Sequence, residues 1–81
     1  MDDLFYRRCK EIKAMLDHPL FQSAVNEVQE DIKNAILDTK PEEKEVREDL
    51  YYESKGFDRL LGRLTIYANN VTMTEGRLRH G

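Results

Sequence analysis

Residues that could carry chemistry are few in this chain, and the single cysteine is the first of them. Cys9 is flanked by basic residues at positions 7, 8, 10 and 13, and such neighbours can activate a thiol. The cysteine also shares a helical apolar stripe with Phe5, Ile12 and Leu16, and neither histidine is near it in sequence. We therefore interpret Cys9 as a small buried hydrophobe and not as a nucleophile.

The carboxylates form two groups, each with the spacing of one helix face. The groups are Glu27, Glu30 and Asp31, and then Glu45, Glu48 and Asp49. Helical di-iron proteins pair such carboxylates with a Glu-x-x-His sequence, which does not occur here. One cysteine and two isolated histidines also fall short of a closed zinc site. The carboxylates are therefore interpreted as solvated helix faces, and we predict no catalytic residue, no metal and no cofactor.

Tyrosine and arginine side chains in the second half of the chain are the best candidates for binding a protein partner, because both types are enriched at interface hot spots. The predicted partner-binding residues are Tyr51, Tyr52, Arg59, Arg63, Met73, Arg77, Leu78 and Arg79. The arginines alone could also bind phosphate. A net charge of −3 argues against general binding to nucleic acid.

The scaffold for these residues is all-α, because apolar side chains recur at steps of three and four along the chain. The pattern predicts a short first helix from Asp3 to Leu16, a second from Pro19 to Asp38, and a third from Glu42 to Ala68. The apolar stripe of the third helix is the longest and runs from Val46 to Val71.

The breaks between these segments carry start signals for the following helix. His18 is the expected cap of the second helix, with Pro19 at its first position, although one continuous kinked helix is an alternative. Thr39 and Glu42 have capping-box spacing, and Pro41 suits the first turn of the third helix. The second break is short, so we expect the two long helices to fold back as an antiparallel hairpin.

The chain is expected to form one helical domain over residues 1–70, followed by an extended or flexible tail at 71–81. Asn69 and Asn70 are a plausible helix end, and the residues beyond them have no clear period. The third helix would overhang the second, so either the first helix or another subunit must cover it. Gly56 and Gly62 inside that helix indicate either close packing or tolerated surface positions.

Length and composition limit the remaining possibilities. A chain of 81 residues builds only a thin core, and its lone cysteine excludes an internal disulfide, so self-association is the stabilising device left. Residues of both signs make up 36% of the chain, and no apolar run approaches a membrane span. The first residues do not resemble a signal peptide. We expect a soluble, non-secreted protein of a reducing compartment, with no membrane partner.

Two segments resemble small helical-hairpin proteins of unknown function encoded by tailed bacteriophages. They are LDHPLF at 16–21, followed by Ala24 and Val25, and FDRLLGRL at 57–64. The resemblance covers about residues 15–70 and lies in the pattern of residues, without a catalytic motif. It implies a virion or accessory protein built as a helical hairpin, and it transfers no functional residue.

Taken together, these features predict a non-enzymatic structural or assembly protein that binds itself, or larger capsid or tail proteins, in the virion or the host-cell cytoplasm. One alternative is an acidic inhibitor or regulator that binds a host protein through the acidic residues between 42 and 53. A weaker alternative is a small helical DNA-binding protein that uses Arg59, Arg63, Arg77 and Arg79.

The apolar stripe and the tyrosine pair should respond differently to the same substitution. Leu64→Asp places a carboxylate in the stripe and should unfold the chain, because burying an unpaired charge costs several kcal/mol, roughly the whole stability of a small domain. Tyr52→Asp should reduce association and leave helicity intact. Circular dichroism and light scattering on both variants measure the two effects; equal loss of helicity would contradict the assignment.

Overall fold

The chain is all-helical, as the apolar periodicity predicts. The computed structural model describes residues 3–80, and side chains over 3–77. Helix α1 spans Asp3–Asp17, α2 spans Pro19–Leu37 and α3 spans Lys44–His80. Within this range there is no strand, and no helix has the length and apolar character needed to cross a membrane.

The break between α1 and α2 is the one that the sequence predicts. His18 has extended backbone angles (φ −74°, ψ 128°), and its Nδ1 accepts a hydrogen bond of 3.1 Å from the backbone N–H of Leu20. Pro19 occupies the first turn of α2, where its missing N–H costs nothing. On the other side of the break, the Gln22 amide donates to the carbonyl of Leu16 at 3.1 Å. Each helix end thus gains a side-chain hydrogen bond, and the capped break replaces a continuous helix.

The turn between α2 and α3 is held by the guanidinium of Arg47. This group donates to the hydroxyl of Thr39 (3.2 Å) and to the carbonyls of Lys40 (2.7 Å) and Pro41 (3.1 Å). The Glu43 carboxylate accepts a 2.8 Å hydrogen bond from the backbone N–H of Lys40. Arg47 in the first turn of α3 and Glu43 just before that helix therefore hold the turn in place through charge-assisted hydrogen bonds.

The predicted capping box of Thr39 and Glu42 was wrong, and α3 starts at Lys44 and not at Glu42. The Thr39 hydroxyl instead donates to the carbonyl of Ile36 at 2.7 Å, so it satisfies the end of α2. A hydrogen bond between residues three apart does form one position later, from the backbone N–H of Lys40 to the carboxylate of Glu43.

The extended tail was also a wrong prediction, because α3 continues through Asn69 and Asn70 to His80. Val71 is only 1% exposed, and Glu75 accepts a 3.4 Å hydrogen bond from the hydroxyl of Tyr6 in α1. Tertiary contacts of this kind outweigh the weak helix propensity of the segment, since most helix stability in proteins comes from packing.

Helix α1 covers the part of α3 that α2 does not reach. The rings of Phe5 and Tyr67 meet edge to face, with centroids 6.1 Å apart and planes at 72°. Cys9 and Val71 are each 1% exposed on the two helices, which confirms that the cysteine points inward. The chain's own first helix, one of the two expected covers, therefore lies on the overhang.

The core is small even with α1 in place. In the described part of the chain, only Cys9, Ile32 and Val71 are fully buried apolar residues. The molecule measures 59 × 22 × 21 Å and has a radius of gyration of 17.5 Å, against roughly 12 Å for a compact domain of this length. Its accessible surface is 6691 Å², whereas a compact monomer of 9.6 kDa exposes roughly 5,100 Å². Large apolar side chains such as those of Leu20, Leu60 and Ile66 stay exposed on this elongated chain.

The contact between α1 and the second half of α3 should depend on Val71. Val71→Ala removes two buried methylene equivalents and should lower the free energy of unfolding by about 2 kcal/mol. Met73→Ala is the control, because Met73 is 58% exposed and its truncation should cost less than about 0.5 kcal/mol. Urea unfolding followed by circular dichroism measures both, and equal losses would contradict the docking of α1.

Candidate protein-interaction surface

An apolar groove runs between α2 and the middle of α3 and has a volume of about 340 Å³. All of its lining residues are apolar. They include Phe21, Val25 and Val28 from α2 and Phe57, Leu60 and Leu64 from α3, with Met15 of α1 at one end. We call this feature the α2–α3 groove.

The walls of the groove are incompletely buried. Leu60 is 56% exposed, and Val28 and Met15 are each 39% exposed, whereas Phe57 and Leu64 are half-buried. Covering apolar surface of this kind is favourable by roughly 25 cal/mol per Å². A continuous apolar groove of this size marks a binding surface more strongly than scattered exposed leucines do.

The groove is bordered by opposite charges on its two helices. On α2, Glu27 lies three residues beyond the groove residue Ala24, so it neighbours that residue on the helix surface. On α3, Arg63 lies three residues beyond the groove residue Leu60 and neighbours it on the helix surface in the same way. Neither Glu27 nor Arg63 takes part in an ion pair within residues 3–77, where the pairs are Lys13–Asp17 and Lys44–Glu48. Beside the groove, α2 thus offers one acidic position, Glu27, at the edge of its polar face, and α3 offers one basic position, Arg63.

The tyrosine pair lies outside the groove, nearer the turn between α2 and α3. Tyr51 and Tyr52 are 53% and 68% exposed, and their rings meet edge to face with centroids 5.8 Å apart. The Lys55 ammonium lies 5.3 Å from the centroid of the Tyr51 ring. Nine residues, or two and a half helical turns, separate Tyr51 from Leu60, so the two project in opposite directions. The tyrosines form a separate aromatic and basic surface near the turn.

The predicted partner-binding residues do not come together as one site. From Tyr51 to Arg77 they extend along roughly 39 Å of α3, at 1.5 Å per residue. Arg59, Arg63, Met73 and Arg77 are exposed. The side chains of Leu78 and Arg79 lie outside the described residues. The residues predicted to bind a partner therefore lie at separate places along α3.

The groove itself was missed, because its residues were interpreted as core. A usable signal was present in the width of the stripe on α3. Leu60 and Leu61 are adjacent in sequence and therefore about 100° apart around the helix, a wider arc than one neighbouring helix of similar size covers. A stripe of that width indicates a second neighbour.

Groups suited to catalysis or metal binding are not assembled in the described part of the chain. No cluster of three histidine, cysteine or carboxylate side chains there could hold a metal ion. The acidic segment at 42–53 is interleaved with Lys44 and Arg47, and its Glu43 carboxylate is engaged in the turn. The surface at that end of the molecule is of mixed charge.

Ionisable side chains also meet where α1 crosses α3. Partial burial, followed by the negative charge and hydrogen bond of Glu75, raises the pKa of Tyr6 above its usual 10.0. The ammonium of Lys13 lies 2.7 Å from a carboxylate oxygen of Asp17, and the hydrogen bond to Asp17 is the main cause that raises the pKa of Lys13. Both pKa shifts mean that the folded chain favours the neutral phenol of Tyr6 and the charged ammonium of Lys13.

The stability of the docked α1 should consequently fall at high pH. Because the pKa of Tyr6 is higher in the folded chain, its contribution is fully present below the unfolded value of about 10 and is lost as the pH rises through the folded value. We expect the thermal midpoint to fall more steeply above pH 10 in the native chain than in Tyr6→Phe. Lys13 titrates in both proteins, so the difference isolates Tyr6; parallel curves would contradict the assignment.

Comparison of the chain with protein-family models, with curated proteins and with solved structures finds no match. The groove, its charged rims and the tyrosine pair are therefore interpreted from their own geometry and chemistry.

Proposed function

We propose that this chain is a non-enzymatic assembly protein that acts by binding other protein chains through apolar helix faces. The observation that carries the proposal is the mismatch between a core that has three buried apolar residues over 3–77 and an open groove whose lining is entirely apolar. A partner that covers the groove would supply the apolar burial that the chain alone does not have.

The scaffold that we propose for this function is an antiparallel hairpin of α2 and α3. Support comes from pairs of residues that line common depressions. Three depressions each contain a residue from both helices: Ile36 with Tyr51, Ile32 with Phe57, and Val25 with Leu64. Residue numbers decrease along α2 while they increase along α3, as in an antiparallel pair. The hydrogen bonds of Arg47 to Thr39, Lys40 and Pro41 would stabilise the turn of this hairpin.

The bacteriophage setting stays a prediction from the resemblance. In that setting the partner would be a copy of the chain or a larger capsid or tail protein. The alternative of an acidic regulator gains less support, because Lys44 and Arg47 interrupt the acidic residues of α3. A DNA-binding function would rely on Arg59, Arg63 and Arg77, which lie along a helix that also carries exposed apolar residues.

The proposed function predicts that the chain is part of a larger particle where it is made. Size-exclusion chromatography of an extract of the producing cells, with immunodetection, should find it well above the 9.6 kDa of a monomer. Leu60→Glu should shift it toward the monomer position, whereas Ile66→Glu should not, because Ile66 is equally exposed (56%) but lies on another side of α3. Elution of the native chain as a monomer would contradict the function.

A further inference from the structure

We propose that the occupant of the α2–α3 groove is a second copy of this chain, so that two helical hairpins pack groove to groove around a two-fold axis parallel to their helices. This inference rests on the proposed function and names its partner. It is carried by surface area, by the shape of the groove and by the charges along its rims.

The area argument concerns how much surface each copy has available for burial. The chain exposes 6691 Å², about 1,600 Å² more than a compact monomer of its mass. If each of two copies buried that excess, the interface would total roughly 3,200 Å², which is within the range of obligate homodimers.

The shape argument concerns what can enter the groove. Helix α1 reaches it only with Met15, so the chain does not fill it by itself. Leu60 stands at the rim with 56% of its surface exposed, and Val28 stands on the opposite wall. In a two-fold contact the same patch serves both chains, so each copy would insert its Leu60 beside the other's Val28. Gly56, one turn before Leu60, has nothing within 4 Å of where a Cβ would lie, which leaves room for a neighbouring backbone.

The charge argument fixes the orientation. A two-fold axis parallel to the helices places α2 of one copy over α3 of the other. Val28 and Leu60 line the same groove, so Glu27 and Arg63 lie at similar heights along the helices. The acidic rim of each chain then meets the basic rim of its partner, and two Glu27–Arg63 pairs form. A rotation about an axis across the helices would set like charges against each other.

The first experiment measures the mass of the purified full-length chain by sedimentation equilibrium over a wide concentration range. We expect a dimer, about twice 9.6 kDa. Leu60→Glu should weaken dimerisation at least tenfold, since it places a charge in the contact. The control is Ile66→Glu, because both side chains are 56% exposed and only Leu60 lines the groove. Circular dichroism checks that both variants keep their helicity.

The second experiment tests the orientation by charge reversal. Glu27→Arg and Arg63→Glu should each weaken the dimer several-fold, because each sets like charges against one another across the interface. The double variant should regain most of the native affinity, since the pairs are restored with opposite polarity. A double variant as weak as the product of the two single effects would overturn the proposed two-fold arrangement.

The outcomes separate this inference from the proposed function. A purified chain that stays monomeric at every concentration overturns the second copy as occupant, and so does a dimer insensitive to Leu60→Glu. If the same chain still elutes in a large particle from cell extract, the assembly function survives with a different partner in the groove. If it is monomeric in both, the two proposals fail together.

Discussion

The structure depends on covering one long helix with two short ones. Helix α3 has 37 residues, about 56 Å at 1.5 Å per residue, and neither α1 with 15 residues nor α2 with 19 can match it. The break at His18 and Pro19 divides the preceding chain into two helices, both of which contact α3. Each short helix covers one side of its part of α3. The remaining apolar surface is the consequence of that division.

Local signals in the sequence were sufficient for the helix count and for the first break. The steps of three and four give three helices, and the His18–Pro19 pair caps α2 because its geometry needs no distant residue. The end of α3 could not be obtained in this way. Val71 and Glu75 are held in helix by residues of α1 more than sixty positions earlier in the chain, and no local propensity encodes such a contact.

The candidate surface was predictable in kind but not in place. Tyr51, Tyr52, Arg59, Arg63 and Arg77 are exposed, yet they project from α3 in several directions. The groove was hidden in the sequence because Phe57, Leu60 and Leu64 have the same spacing in a buried stripe as in an open one. Whether an apolar face is covered depends on the number of neighbouring helices, and an 81-residue chain with three helices has too few. Periodicity defines a face, and only tertiary arrangement shows how much of it remains open.

The burial of Cys9 gives the molecule an internal reporter. Its thiol is the only one in the chain and is 1% exposed beneath the junction of α1 with α3. An alkylating reagent can reach it only while that junction is open, so the rate of modification counts the opening events of one helix. The rate of thiol modification therefore follows the opening of the buried face of α1 at Cys9, without a label added to the chain.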